Sequence, residues 1–171
     1  MKIDLKKITK ELIPVFDHAG LESIRLFEKG LKIEIKEDGS PVSNGDLKVN
    51  ELICKKIKEL TPDISIISEE TVNLREKNKN SIFWLIDPID GTKEYIAGKE
   101  EYTLNAALVV NKEPIIGLVG VPKKKQLFYS YGKGKSFVEY NNKHIQISCK
   151  KDIKRKKVLA LSSMGKTSEI I

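Results

Sequence analysis

Residues 84 to 92, Trp84-Leu85-Ile86-Asp87-Pro88-Ile89-Asp90-Gly91-Thr92, restrict the chain's options more than any other stretch. An apolar strand, Ile82 to Ile86, delivers two carboxylates, Asp87 and Asp90, into what reads as one tight turn. Pro88 fixes φ in that turn and Gly91 tolerates unusual φ. Thr92 is placed to open a short helix whose first free N–H groups face the same spot. Carboxylate oxygens suit a hard divalent cation and a helix N-terminus suits an anion, so this arrangement can hold both together. The spacing equally describes an ordinary strand-turn-helix in which Asp90 is the N-cap.

The surrounding pattern implies an α+β fold, with helices packed on a largely antiparallel sheet. Leu5, Ile8, Leu12, Val15, Phe16, Ala19, Ile24 and Phe27 recur near the helical period, with a kink or fresh start expected at Pro14. After a short strand at Lys32 to Ile35, a second helix is expected from Ser43 to Leu60, with Val49, Leu52, Ile53, Ile57 and Leu60 on one face. Ser43 followed by Asp46 forms a capping-box pattern, with Asp replacing the usual Glu or Gln. Strands are then expected at Ile64–Ile67, Ile82–Ile86, Thr103–Val110, Ile115–Val121, Gln126–Tyr131, Ser136–Tyr140, His144–Ile147 and Val158–Leu161. Val158–Leu161 reads as buried, and Ser162 to Glu169 as a loop and the first turn of another helix.

Composition excludes several classes. The chain has 171 residues and 40% hydrophobic content, enough for one domain with a real core. No apolar run is long enough to span a membrane, and the N-terminus lacks the pattern of a secretory signal, so a cytoplasmic setting is expected. Cys54 and Cys149 lie far apart and show no metal or redox spacing. Neither His18 nor His144 has a partner at ligand or triad spacing, and each reads as a surface helix or strand residue.

Charge is uneven. Residues 121–171 hold thirteen Lys/Arg against three acidic residues, so an acidic first part precedes a basic tail. The cluster Lys150-Lys151-Asp152-Ile153-Lys154-Arg155-Lys156-Lys157 could meet nucleic acid, an anionic membrane surface or an anionic nucleotide. No aromatic residues interleave it, which favours a solvated surface over specific nucleic-acid binding.

Three segments in order carry a resemblance: Gly39-Ser40-Pro41-Val42-Ser43-Asn44-Gly45-Asp46, the strand Ile64 to Ile67 running into Ser68-Glu69-Glu70, and Asp87 to Tyr95. Together they resemble the inositol monophosphatase superfamily of Mg²⁺-dependent, lithium-sensitive phosphomonoesterases. The form Asp-Pro-Ile-Asp-Gly-Thr-Lys-Glu-Tyr, with Leu60-Thr61-Pro62-Asp63 upstream, is most similar to its 3'(2'),5'-bisphosphate nucleotidase branch. An inositol-phosphate phosphatase is the alternative.

The resemblance implies two or more Mg²⁺ ions held by Glu69, Asp87, Asp90 and the backbone carbonyl of Ile89. It pairs Thr92 with Asp46 to orient and activate the attacking water. Glu69, Ile89, Asp90, Gly91 and Thr92 would face the substrate, a small phosphorylated nucleotide, with Gly91 and Thr92 donating N–H groups to phosphate. Superfamily members continue past this point into a second α/β region with a Trp-Asp ligand. This sequence holds no Trp beyond Trp84, so residues 1–171 are expected to be the N-terminal metal-binding domain, cut near 160–171 and with little or no activity alone. Two readings from other classes remain: a non-catalytic remnant that binds metal or associates through an exposed strand edge, and a basic nucleic-acid-binding module with steeply salt-dependent affinity.

Overall fold

The computed structural model describes residues 3–71 and 81–148, together with the backbone of 158–161 and 167–170. Helix α1 (Leu5–Glu28) begins where the Asp4 side chain accepts the Lys7 N–H at 3.0 Å, and it buries Ile8, Leu12, Phe16, Ala19 and Ser23 along one stripe. It runs through Pro14 as one 24-residue helix, so the expected fresh start does not occur. Pro14 lies on the exposed side, as does Lys10, whose carbonyl loses its helical donor and can take water instead. A small hairpin follows, β1 (Ile33–Ile35) with β2 (Pro41–Ser43), and leads directly into α2 (Asn44–Leu60). Val49, Ile53 and Ile57 form the buried stripe of α2, as their spacing requires.

The chain then builds β3 (Ser65–Ser68), β4 (Ile82–Asp90), the short α3 (Thr92–Ile96), β5 (Thr103–Val110), β6 (Glu113–Val121), β7 (Gln126–Tyr131), β8 (Ser136–Tyr140) and β9 (Lys143–Gln146). These strands form a seven-stranded sheet in sequence order, parallel between β3 and β4 and antiparallel elsewhere. Neighbours are joined tightly: Asn111 and Lys112, both at positive φ, make the two-residue turn between β5 and β6. A separate antiparallel pair joins β10 (Val158–Leu161) to β11 (Thr167–Ile170). The helical turn expected over 162–169 is therefore wrong for Thr167 to Glu169, which pair with the preceding strand; 162–166 lie outside the described residues. The strand Val158–Leu161 has a hairpin partner along one edge, and its expected burial lies outside the described side chains, as does the basic cluster 150–157.

Alternation along the strands gives the sheet two distinct faces. Trp84, Ile86, Leu104, Leu108, Ile116, Leu118 and Leu127 point towards α1 and α2 and form the core with Leu12, Phe16, Val49, Ile53 and Ile57. Trp84 is wholly buried, and its indole N–H is satisfied by Thr61 Oγ1 at 3.1 Å, at the end of α2. Close packing of α1 on the sheet uses Gly20, where an added Cβ would stand 3.4 Å from Pro122. The opposite face carries Leu85, Val119 and Phe128, which are 45%, 39% and 38% exposed. Asp87 lies on that outer face, opposite Asn105 of β5.

Candidate active site

Two crossings bring the expected residues together. Because β3 runs parallel to β4 with Ser68 opposite Ile86, the next residue of each strand, Glu69 and Asp87, emerges side by side, and the Glu69 N–H reaches the Ile86 carbonyl at 3.1 Å. Strand β4 does not turn after Ile86 as expected. It continues through Pro88 to Asp90, with a register shift between Asp87 and Asp90 against β5. A bulge is where a strand tolerates a proline, because the extra residue leaves the ladder. The bulge ends at Gly91, whose φ of 94° lies in the left-handed region that favours glycine. Gly91, not Asp90, is the N-cap of α3, and no side chain caps that helix.

Asp46 enters from the other side. It is fully buried at the start of α2, where its Oδ2 accepts from the Ser43 N–H at 2.8 Å and the Ser43 hydroxyl at 2.6 Å. The capping box is therefore present, and it occupies only one carboxylate oxygen. The other oxygen, Oδ1, lies 3.0 Å from the Thr92 hydroxyl across 46 residues of sequence. Thr92 Oγ1 also lies 3.1 Å from the Ile89 carbonyl, so its single proton has two acceptors. The Asp46 contact leaves the Ile89 carbonyl its lone pairs for another partner.

Electrostatics mark Asp87 as the strained member. Burial, then the charge of Glu69, then that of Asp90, push its carboxyl up to about 7 from an ordinary 3.8. Its Oδ1 is buried with no hydrogen-bond partner in the structure, and so is Asn105 Oδ1 facing it. Asn105 instead gives its Nδ2 to Asp90 Oδ2 at 3.3 Å. Orphaned acceptor oxygens beside mutually repelling carboxylates fit a divalent cation with oxygen ligands, and Glu69, Asp87, Asp90 and the Ile89 carbonyl are the groups that would hold it. Among the described residues, no three such side chains already stand close enough to form a finished metal cluster.

Lys36, which the sequence gave no reason to single out, explains part of that opening. Its ammonium sits 2.9 Å from Glu70 Oε2 and 3.6 Å from Glu69 Oε1. Burial works against the charged Lys36, yet Glu70 and Glu69 hold its pKa above the usual lysine value. Burial likewise raises Glu70, against the pull of Lys36. The β1–β2 hairpin thus places a cation against the acidic rim, 34 residues from Glu70. Asn105 was the other residue missed, and an Asn inside the apolar run of β5 was the signal available for it. The remaining titratable candidates stay apart from this site: His144 pairs with the Tyr129 hydroxyl at 3.1 Å, and Cys54 lies on α2 beside Asn50.

Two helices cover one face of the seven-stranded sheet, and Glu69, Asp87 and Asp90 lie at its β3–β4 end. The inositol monophosphatase family matches residues 4–170, and the chain belongs to that family. Among curated relatives it is similar to the 3'(2'),5'-bisphosphate nucleotidase CysQ of Aggregatibacter actinomycetemcomitans, at 28% identity over 86% of this chain and 56% of that protein. The solved structure of CysQ from Bacteroides thetaiotaomicron superposes with a TM-score of 0.61 at 26% identity, covering 81% of this chain and 50% of the other. An IMPase/NADP phosphatase solved in complex with Mg²⁺ and phosphate shares the fold, with a TM-score of 0.69 at 20% identity over 80% of this chain and 52% of the other. The chain spans about half the length of the curated relatives it matches. No helix among the described residues is long and apolar enough to cross a membrane.

Proposed function

We propose that residues 1–171 form the metal- and phosphate-binding portion of a Mg²⁺-dependent phosphomonoesterase, with adenosine 3',5'-bisphosphate as substrate and AMP and phosphate as products. The observation that carries this reading is the Thr92–Asp46 hydrogen bond of 3.0 Å beside the unpartnered Asp87 Oδ1. Bound Mg²⁺ would supply charge neutralisation at the phosphate and a more acidic water. Glu69, Asp87, Asp90 and the Ile89 carbonyl would hold it. Asp46 is fixed by the capping box and keeps Thr92 Oγ1 oriented, so a hydroxyl lone pair is free to accept a proton-bearing water and align its oxygen for attack. The water oxygen bonds to phosphorus, the phosphoester P–O bond breaks, and the ribose oxygen leaves with a proton. The backbone N–H groups of Gly91 and Thr92 are the candidate donors to the phosphate.

The nucleotide is favoured over an inositol phosphate by Lys93-Glu94-Tyr95, which follow Thr92, and by the likeness to relatives named CysQ. Acting in the cytoplasm, such an enzyme would support sulfur assimilation by clearing adenosine 3',5'-bisphosphate as an inhibitory by-product. In a protein of its relatives' length, the α/β portion that the resemblance implies would complete the pocket. The test uses the chain extended to the length of its relatives and measures phosphate release in Mg²⁺. Adenosine 3',5'-bisphosphate should be preferred, with Thr92→Ala lowering kcat roughly 10²-fold or more at unchanged half-saturating Mg²⁺. Full activity in Thr92→Ala would overturn the assigned role, and preference for inositol 1-phosphate would overturn the substrate.

A further inference from the structure

Thr92 and Asp46 sit on separate elements, and one side chain determines how closely those elements approach. Tyr95 lies one turn along α3 from Thr92 and is 1% exposed. Its ring rests on the backbone of Gly45, the residue before Asp46. A Cβ at Gly45 would stand 2.5 Å from Tyr95 Oη, 2.7 Å from Cε1 and 2.9 Å from Cζ, separations that real Cβ atoms do not show. Gly45 is not among the positive-φ glycines, so space alone, and not backbone conformation, demands glycine there.

The ring has little freedom to retreat. Tyr95 Oη donates to the Ser23 carbonyl on α1 at 2.6 Å. Tyr102 packs against the Tyr95 ring at 4.9 Å between centroids, and its own hydroxyl pairs with Ser23 Oγ at 2.9 Å. Ser23 Oγ in turn donates to the Gly20 carbonyl at 2.7 Å. Burial, then Tyr102 and Asp46, raise the Tyr95 pKa, which keeps the phenol a donor at ordinary pH. Tyr95 is therefore a wedge between the α2 start and α3, anchored at its tip to a third helix.

We propose that Tyr95 and Gly45 are a positioning pair for the Thr92–Asp46 couple: the anchored phenol sets the depth at which Asp46 meets Thr92, and the bare Gly45 backbone makes that depth possible. The catalytic meaning of the pair rests on the function proposed above, but the geometry does not. Any side chain at position 45 must displace either α2, lengthening the Thr92–Asp46 contact, or Tyr95, breaking its bond to Ser23. A shift near 1 Å at catalytic groups costs on the order of 10²-fold in rate.

The test compares wild type, Gly45→Ala, Tyr95→Phe and the double variant, using NMR cross-relaxation between the Thr92 methyl and the Asp46 β protons, with melting temperature alongside. Tyr95→Phe should keep the cross-peak, because the ring stays packed. Gly45→Ala should lose it or fail to fold. The double variant should fold and regain it, because a phenyl ring with no tie to Ser23 can slide away from the new methyl. A Gly45→Ala protein that melts lower yet keeps the cross-peak shows a purely structural role and overturns the proposal. So does a double variant that fails to recover. In the extended enzyme the same series should show kcat falling roughly tenfold or more and recovering with KM nearly constant. Activity retained in Thr92→Ala would sink the catalytic reading while leaving the cross-peak result intact.

Discussion

Replacing Asp87 by Asn should make the metal-free protein more stable, not less. Burial and the charges of Glu69 and Asp90 raise the Asp87 carboxyl from 3.8 to about 7, so the folded protein holds that proton more tightly than the unfolded chain does. The sign follows from linkage: the native state binds more protons between roughly pH 4 and 7, so stability falls as pH rises through that window. Three pH units would correspond to about 4 kcal/mol at pH 8. Asp87 is only half-buried, and solvent screening brings the expected figure nearer ~2 kcal/mol. For a chain of this size that is a rise of about 4–8 °C in melting temperature. Asn keeps the shape, removes the charge and can offer an N–H₂ to the unpartnered Asn105 Oδ1. The assay is thermal unfolding of both proteins at pH 5 and pH 8, with EDTA and with 10-fold steps of Mg²⁺. Wild type should lose stability from pH 5 to pH 8 and regain it with Mg²⁺, while Asp87→Asn should change much less in both respects. If Asp87→Asn is less stable than wild type at pH 8 in EDTA, the repulsion argument is wrong.

Other perturbations follow from the same contacts. Lys36→Met should destabilise the protein by about 1–3 kcal/mol at pH 8, because Glu70 is left buried without its cation, and by less as the pH is lowered, since burial raises the Glu70 carboxyl; urea unfolding over a pH series reads this out. In a Cys149→Ser background the native Cys54 thiol, pushed by burial to about 11, should react slowly with a disulfide reagent at pH 8 and rapidly after unfolding. Ile53→Ala, at a fully buried position on α2, should cost about 2–5 kcal/mol in the same urea assay and leave the Mg²⁺-induced shift in place.

Local patterns carried most of the fold. The Val49, Ile53, Ile57 spacing and the Ser43–Asp46 cap sit within one or two helical turns, so their physics is complete in the local sequence. The strand series was legible for the same reason, because alternation and turn residues act over short distances. What was missed depends on neighbours. Pro14 stays within α1 because tertiary packing of the opposite face outweighs one lost hydrogen bond. β4 runs on through Pro88 because β5 offers a partner at Asp90, and Thr167 to Ile170 become a strand because Val158 to Leu161 offer one. At the site, the resemblance named Asp46 and Thr92 as a pair, and the structure sets them 3.0 Å apart. Lys36 was invisible, and Asn105 showed only as a polar residue in an apolar strand, because each acquires its meaning only across strands or loops distant in sequence.

The central claim is that a divalent cation binds between Glu69, Asp87 and Asp90. Titrating ¹⁵N-labelled protein with substoichiometric Mn²⁺ tests it directly, because paramagnetic broadening of amide signals reports distance from the ion. Broadening should be strongest at Glu69 and from Asp87 to Thr92, skipping Pro88, and excess Mg²⁺ should reverse it. Broadening centred away from the β3–β4 end of the sheet, for example at Asp17 of α1 where the charge of Glu139 on β8 opposes it, or signals at Asp90 and Gly91 that stay sharp at saturating Mn²⁺, would contradict the account.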